Sequence, residues 1–264
     1  MSAREKFLIE LEGFALELAH TAGGIAEAYF RSHFAVDNKD EDGFDPVTSA
    51  DHAIEKVIRE TIQSTYPDHD IVAEEGGSTL SGAEYCWYID PIDGTRAFLM
   101  GSPLWGTLVG LTESGKAVFG LLAQPILSEL FLGSPAGSWL IDNQARRRLQ
   151  SSRCTDISKA KLASTHPNLF SGDDQAAYAR LTNACLLDRY GGDCYNYAML
   201  AAGFIDLVAE TGLKPFDIVP LVPILERAGC IVTNWDGGSV LDGGSVVAAA
   251  SQALHAQALE RLNA

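Results

Sequence analysis

Positive charge is scarce in this chain. Lys and Arg number 19 against 35 Asp and Glu in 264 residues, a formal net charge of −16. A protein that tracks a nucleic-acid backbone carries a basic stripe, and the only compact one here is Arg146-Arg147-Arg148. Following Asp142, it reads as a solvated turn or strand edge, so no nucleic-acid partner is expected. Cysteine is sparse too: Cys86, Cys154, Cys185, Cys194 and Cys230 are odd in number and form no CxxC pair. That argues against a disulfide framework and a structural zinc site, and points to inert thiols in a reducing cytoplasm. No apolar run has the length of a bilayer span, and the stretch after Met1 is amphipathic rather than a signal peptide, so no membrane partner is expected either. Low-complexity tracts, Ser/Gly/Pro-rich linkers and solenoid repeats are all lacking.

What remains is an ordinary globular composition, 47% hydrophobic and 20% charged, long enough to bury a substantial core. Apolar residues recur at helical spacing from Phe7 to Tyr29 and again from Ala50 to Ile62. The period then changes, and residues 69–73, 85–89, 106–111, 117–124, 129–132 and 137–141 read as strands, with a hairpin turn at 113–116. Beyond about residue 150, strands (162–165, 205–210, 230–233, 246–249) alternate with helices (175–184, 195–202, 218–227, 252–262). An N-terminal α+β lobe (1–150) and a C-terminal α/β lobe (151–264) sharing an interface are expected.

Four acidic clusters fall at element ends: Asp45-Pro46-Val47-Thr48-Ser49-Ala50-Asp51, Glu74-Glu75-Gly76, Asp90-Pro91-Ile92-Asp93-Gly94-Thr95, and Asp217. Each has a structural explanation. Thr48 to Asp51 can be a capping box, Asp90-Pro91 and Asp93-Gly94 are turn dipeptides, and Asp217 can cap the helix that follows it. Taken together they allow chemistry. Residues 85–89 form an almost wholly apolar strand, so Asp90 and Asp93 emerge where a core strand meets a tight turn. Two carboxylates three residues apart repel unless a cation lies between them, and the turn frees the Ile92 carbonyl as a further hard oxygen ligand. Gly94 and Thr95 then offer backbone N–H groups at a helix start, where a phosphate is favoured.

These segments, in this order and spacing, resemble the inositol monophosphatase-like family of metal-dependent phosphatases over nearly the whole chain, from Asp45 to Gly229. The resemblance implies a layered α-β-α-β-α sandwich of the fructose-bisphosphatase/inositol monophosphatase type (α+β or α/β) and a homodimer. It implies two to three Mg2+ ions, held by Glu74, Asp90, the Ile92 carbonyl, Asp93 and Asp217. It further implies Asp45 and Thr95 as a dyad orienting the attacking water, and the amides of Gly94 and Thr95 as the phosphate site. Two positions depart from the family's pattern: Ala73 where Gly is usual before Glu74-Glu75, and Phe216 where Trp is usual before Asp217.

The flanking strings Arg96-Ala97-Phe98, Pro103-Leu104-Trp105-Gly106-Thr107-Leu108 and Gly191-Gly192-Asp193-Cys194-Tyr195 look like the bacterial histidinol-phosphatase branch. That implies hydrolysis of L-histidinol phosphate, a small phosphate ester, in histidine biosynthesis. Asp193 with Glu210 would give an anionic recess for a substrate bearing an ammonium and an imidazole; Arg189 is a further candidate for phosphate contact. The other reading of Asp193 is a helix cap after the glycine pair. Trp105 reads as core, and His166 as a possible wall of the site. Inositol 1-phosphate is the rival substrate, ahead of fructose bisphosphate and 3′-phosphoadenosine phosphate. Rivals of other classes are a protein-interaction module on the same fold and a metal-independent, carboxylate-pair glycosidase.

Overall fold

The computed structural model describes residues 3–33, 36–38 and 46–264. In chain order the elements are α1 (Ala3–Tyr29), β1 (Val36–Asn38), β2 (Pro46–Thr48), α2 (Ser49–Thr65), β3 (Asp70–Ala73), β4 (Gly77–Thr79), β5 (Tyr85–Asp93) and α3 (Thr95–Leu99). Four antiparallel strands and an edge follow: β6 (Gly106–Glu113), β7 (Lys116–Gln124), β8 (Glu129–Ser134), β9 (Gly137–Ile141) and β10 (Arg146–Arg148). The second half contributes β11 (Lys161–Ser164), α4 (Asp173–Ala184), β12 (Leu187–Tyr190), α5 (Cys194–Ala201) and β13 (Leu207–Leu213). It ends with α6 (Pro215–Ile218), α7 (Leu221–Ala228), β14 (Ile231–Thr233), β15 (Gly244–Ala249) and α8 (Gln252–Leu262).

Strands β10-β9-β8-β7-β6-β5-β3-β4 form one sheet and β12-β11-β13-β15-β14 a second. Side chains alternate across each strand, so every sheet sorts its apolar residues onto two faces. Val109, Leu121 and Leu132 meet Leu11, Leu18, Ile54 and Ile58 of α1 and α2. On the opposite face Leu108, Leu122 and Phe131 meet α5 and α7, which also cover Ala163, Val208, Val246 and Ala248 of the second sheet. That sheet's far side, with Leu162, Leu207 and Val247, packs on Tyr178 and Leu181 of α4 and Leu254 and Ala258 of α8. The layers are therefore α-β-α-β-α, as expected from the sequence. The middle helix layer joins them: α7 belongs to the C-terminal stretch of chain but lies against the first sheet.

The expected helices and strands are present with shifted ends, and four corrections stand out. Strand β5 runs on through Asp93. The single helix expected over 218–227 is two, α6 and α7, parted at Val219-Pro220. Strand β13 runs to Leu213, past the expected 210. Strand β12 has no counterpart in the sequence reading, because all four of its residues are exposed and carry no alternation.

Thr48 caps α2 by accepting from the Ala50 and Asp51 N–H groups, and Asp51 Oδ2 accepts from the Thr48 N–H at 2.8 Å. The expected capping box is thus present. Trp105 is fully buried, among Phe30 and Phe98. Among the described residues no helix is long and apolar enough to cross a membrane.

Candidate active site

Two irregular strand ends build the site. In a regular strand, residues three apart face opposite sides, so Asp90 and Asp93 would diverge. The pairing of β5 with β6 shifts register between these two residues, at Pro91, which has no N–H to give to a ladder. Thr107 Oγ1 holds the freed Pro91 carbonyl at 2.8 Å. The bulge turns both carboxylates into one cavity. A matching shift between Glu210 and Leu213 in β13, with Gly212 at φ 82°, opens the opposite wall.

The cavity, about 310 Å³, is lined by Glu74, Asp90, Ile92, Asp93, Gly94, Thr95, Asp193, Glu210 and Asp217 among others. Nine residues singled out in the sequence therefore meet there, from five separate parts of the chain. Arg189 does not join them; it lies on the exposed edge strand β12 and is not among the lining residues. Asp45 lies outside the described residues. Carboxylate oxygens of Asp90, Asp93 and Asp217 come within 4.8 Å of one another.

Two of the acids are anchored by the backbone. The Cys194 N–H at the start of α5 donates to Asp93 Oδ1 at 2.9 Å, and the Lys214 N–H to Asp217 Oδ2 at 2.8 Å. The Glu74 loop is held from α2, where Glu55 accepts from the Glu75 and Gly76 N–H groups at 2.6 and 2.7 Å and pairs with Arg59 at 3.2 Å. Ala73, where the family's pattern has Gly, fits as the buried last residue of β3, paired with Ile89. Thr95 Oγ1 donates to the Ile92 carbonyl at 3.0 Å, so its oxygen is left as an acceptor.

Burial without counter-charge raises the carboxyl pKa values. Asp90 is raised well above the ordinary range by burial, then by the charges of Glu74, Asp93 and Asp217. Asp93 is raised likewise by burial and by Asp193 and Asp217, against the Cys194 N–H. Asp217 is pushed up to about 7 by burial, against its Lys214 hydrogen bond. Asp90 Oδ1 is fully buried with no hydrogen-bond partner. Crowded acids with an unpartnered inward oxygen are a donor set for a hard divalent cation, which takes oxygen ligands and relieves that repulsion.

Asp193 stands at the N-cap position of α5, but its side chain makes no capping bond. Asp93 takes the Cys194 N–H instead. Asp193 has φ 45°, a costly conformation for a residue other than glycine, which turns its carboxyl into the wall beside Gly94. A Cβ on Gly94, itself at φ 88°, would meet Asp193 Cβ, Cγ and Oδ2 at 3.2 Å. Burial, then the Glu210 charge, pushes Asp193 up to about 7, while the Gly192 N–H and Arg96 pull it down. Glu210 spends both oxygens internally, accepting from Thr165 N–H at 2.7 Å and Tyr197 O–H at 2.8 Å.

Some lining residues were not anticipated. Thr165, Leu169, Tyr197 and Leu213 line the cavity, as does His166, which the sequence left open. His166 Nδ1 accepts from the Asn168 N–H at 3.0 Å, so its neutral ring carries the proton on Nε2. Asp51, read as a helix cap, does cap, but with one oxygen. Its Oδ1 is buried without a partner, and burial, together with the nearby Glu74 charge, raises its pKa. The capping signal hid a second unpartnered carboxylate oxygen near the cluster.

The chain is similar to known proteins over nearly its whole length. The sequence model described as "Inositol monophosphatase family" matches residues 8–264. The chain is 39% identical to the bifunctional phosphatase IMPL2, chloroplastic, of Arabidopsis thaliana, over 96% of its length and 76% of that protein. It is 32% identical to a histidinol-phosphatase of Chlorobaculum parvum, over 89% and 90%. Relatives called Nus factor SuhB are also similar, that of Vibrio cholerae at 31% over 92% of each chain. A solved inositol monophosphatase from Zymomonas mobilis superposes with a TM-score of 0.86 at 33% identity, covering all of both chains.

Proposed function

This chain belongs to the inositol monophosphatase family, and from that premise we propose that it is a Mg2+-dependent phosphomonoesterase whose substrate is L-histidinol phosphate. The phosphatase chemistry is supported by the family and by the carboxylate cluster. The choice of ester rests on one observation: Asp193, half-buried beside the cluster, makes no capping bond and lines the cavity. A carboxylate there suits a leaving alcohol that bears an ammonium group, which would also draw the proton off an acid held near 7. Inositol phosphate offers only hydroxyls to it. The histidinol-phosphatase relatives support the same choice.

In this reading Glu74, Asp90, Asp93, Asp217 and the Ile92 carbonyl hold two to three Mg2+ ions. Bound there, the ions neutralise the phosphate oxygens and acidify water. The protein's own groups position the reactants. The N–H groups of Gly94 and Thr95 bind phosphate oxygens, and the Thr95 hydroxyl, its proton committed to Ile92, accepts from the attacking water. Asp45 would share that water with Thr95; Asp51, which caps α2, is not among the residues lining the cavity. Glu210 holds the wall at Thr165, and His166 faces the leaving alcohol with Nε2–H. The proposal also makes the protein a cytoplasmic homodimer, which sedimentation and fractionation test.

The decisive experiment is phosphate release from histidinol phosphate and inositol 1-phosphate, with and without EDTA. Histidinol phosphate is expected to have the higher kcat/KM, and EDTA to abolish both activities. Faster turnover of inositol phosphate would overturn the choice of ester. Activity surviving EDTA would overturn the metal chemistry. The SuhB relatives keep a protein-binding role as the second reading; it predicts a partner that still binds after Asp93→Asn.

A further inference from the structure

Three glycines form a row across the first sheet. Gly110 of β6 pairs with Gly120 of β7, and Gly120 with Gly133 of β8. The row lies on the face that meets α7, since Leu108, Leu122 and Phe131, two residues away along each strand, pack into the same middle layer. Glycine weakens a strand unless another backbone must come close.

Here it does. A Cβ on Gly110 would lie 2.8 Å from Pro220 Cα and 2.9 Å from Pro220 N. One on Gly120 would collide with the Pro220 carbonyl oxygen and lie 2.8 Å from its carbon. One on Gly133 would collide with the Pro223–Ile224 peptide and lie 2.6 Å from Ile224 Cα. These neighbours are main chain, so no rotamer change can relieve the contact. The chain from Pro220 to Ile224 rests directly on the bare backbone of three strands.

That chain carries Asp217. Asp217 lies three residues before Pro220, on α6, which packs over β5 and β6. Unlike Asp90 and Asp93, which share one strand end, Asp217 is carried by α6, which leaves the end of β13 and is seated with α7 on the sheet. We propose that the Gly110-Gly120-Gly133 row is the positioning device that sets the distance of Asp217 from Asp90 and Asp93, and so the affinity of the cluster for a divalent cation. The inference rests on reading the cluster as a metal centre. Mg2+ demands ligand distances near 2.1 Å with little tolerance, so lifting α6 by an ångström removes Asp217 from the ligand set while the helices and sheets persist.

The test is a double-mutant cycle read by calorimetric Mg2+ titration and by the shift in melting temperature that Mg2+ produces, with no activity assay. The proteins are wild type, Gly120→Ala, Asp217→Asn and the double variant. Gly120→Ala is expected to weaken Mg2+ binding about 10-fold or more in the wild-type background, and to change it little in the Asp217→Asn background. Gly110→Ala, whose nearest approach is longer, gives a smaller loss in the same pattern and serves if Gly120→Ala does not fold. Gly23→Ala, crowded at 3.2 Å by Pro125 away from the site, should lower melting temperature without changing the affinity. Equal weakening in both backgrounds, or a lowered melting temperature with unchanged affinity, overturns the positioning role. A wild-type protein that binds no Mg2+ overturns the metal reading together with it.

Discussion

The metal-free protein should lose stability as pH rises from 5 to 8, opposite to the usual behaviour of paired carboxylates. Asp193 and Asp217 are each held near 7 in the folded chain, against an ordinary value of 3.8. Between those values the folded state keeps a proton that the unfolded state has released. Stability therefore falls with rising pH, by up to about 1.4 kcal/mol per pH unit for each such group. Carried through to pH 7 and above, one group costs on the order of 4 kcal/mol. The two do not simply add, because both interact with Asp90 and Asp93, but one alone is a large part of the roughly 5–15 kcal/mol that keeps a domain folded. About 3 kcal/mol of that falls between pH 5 and 8, so at roughly 2–4 °C per kcal/mol for a chain of this size the melting temperature in EDTA should fall by about 6–12 °C over those pH values. Because the ligands must be ionised to bind a cation, millimolar Mg2+ should reverse the loss, and its stabilising effect should grow with pH. Calorimetric melts at several pH values, with EDTA and with Mg2+, measure both trends. Asp217→Asn should flatten the EDTA curve. A melting temperature in EDTA that is level or rising from pH 5 to 8, or an Mg2+ effect equal at both ends, would refute the account of uncompensated buried acids.

Three further outcomes follow from the contacts. Asp93→Asn removes both a cluster carboxylate and the charged acceptor of the Cys194 N–H, and should lower kcat/KM for any ester by about 100-fold or more; steady-state phosphate release measures it. Asp193→Ala should raise KM for histidinol phosphate about 10–100-fold, the equivalent of one charge-assisted hydrogen bond, with less than about a 2-fold change for a neutral ester. Equal losses on both esters would leave Asp193 a structural residue. His166→Ala should raise KM for histidinol phosphate about 5-fold, one neutral hydrogen bond, with little change in kcat; a fall in kcat alone would place His166 elsewhere in the reaction.

The sequence by itself determined most of the elements and the chemical character of the site, and its family resemblance implied the layered architecture. Helical and alternating periods mark α1, α2, α8 and the central strands because those elements bury one face, and burial imposes the period. The acids of the site were legible because carboxylates beside Pro and Gly at the ends of apolar strands are unusual local chemistry. Where burial is absent the signal fails, as at β12 and at the all-Arg β10, whose residues are exposed. Only the tertiary structure decided which residues meet. Arg189 read as a candidate for phosphate contact, yet it lies on the exposed edge strand β12, whereas Asp193, four residues on at the start of α5, lines the cavity. Capping explained Asp51 locally, and nothing local shows that its second oxygen lacks a partner near Glu74. Glu210 read as a substrate contact and lines the cavity, and nothing local shows that Thr165 and Tyr197, 45 and 13 residues away, each donate to one of its oxygens. The last cluster residue, Asp217, arrives through α6 and α7 resting on three glycines. A period or a motif depends on neighbours in sequence, whereas these contacts depend on how whole layers settle against one another, and that packing is what converts scattered acids into one site.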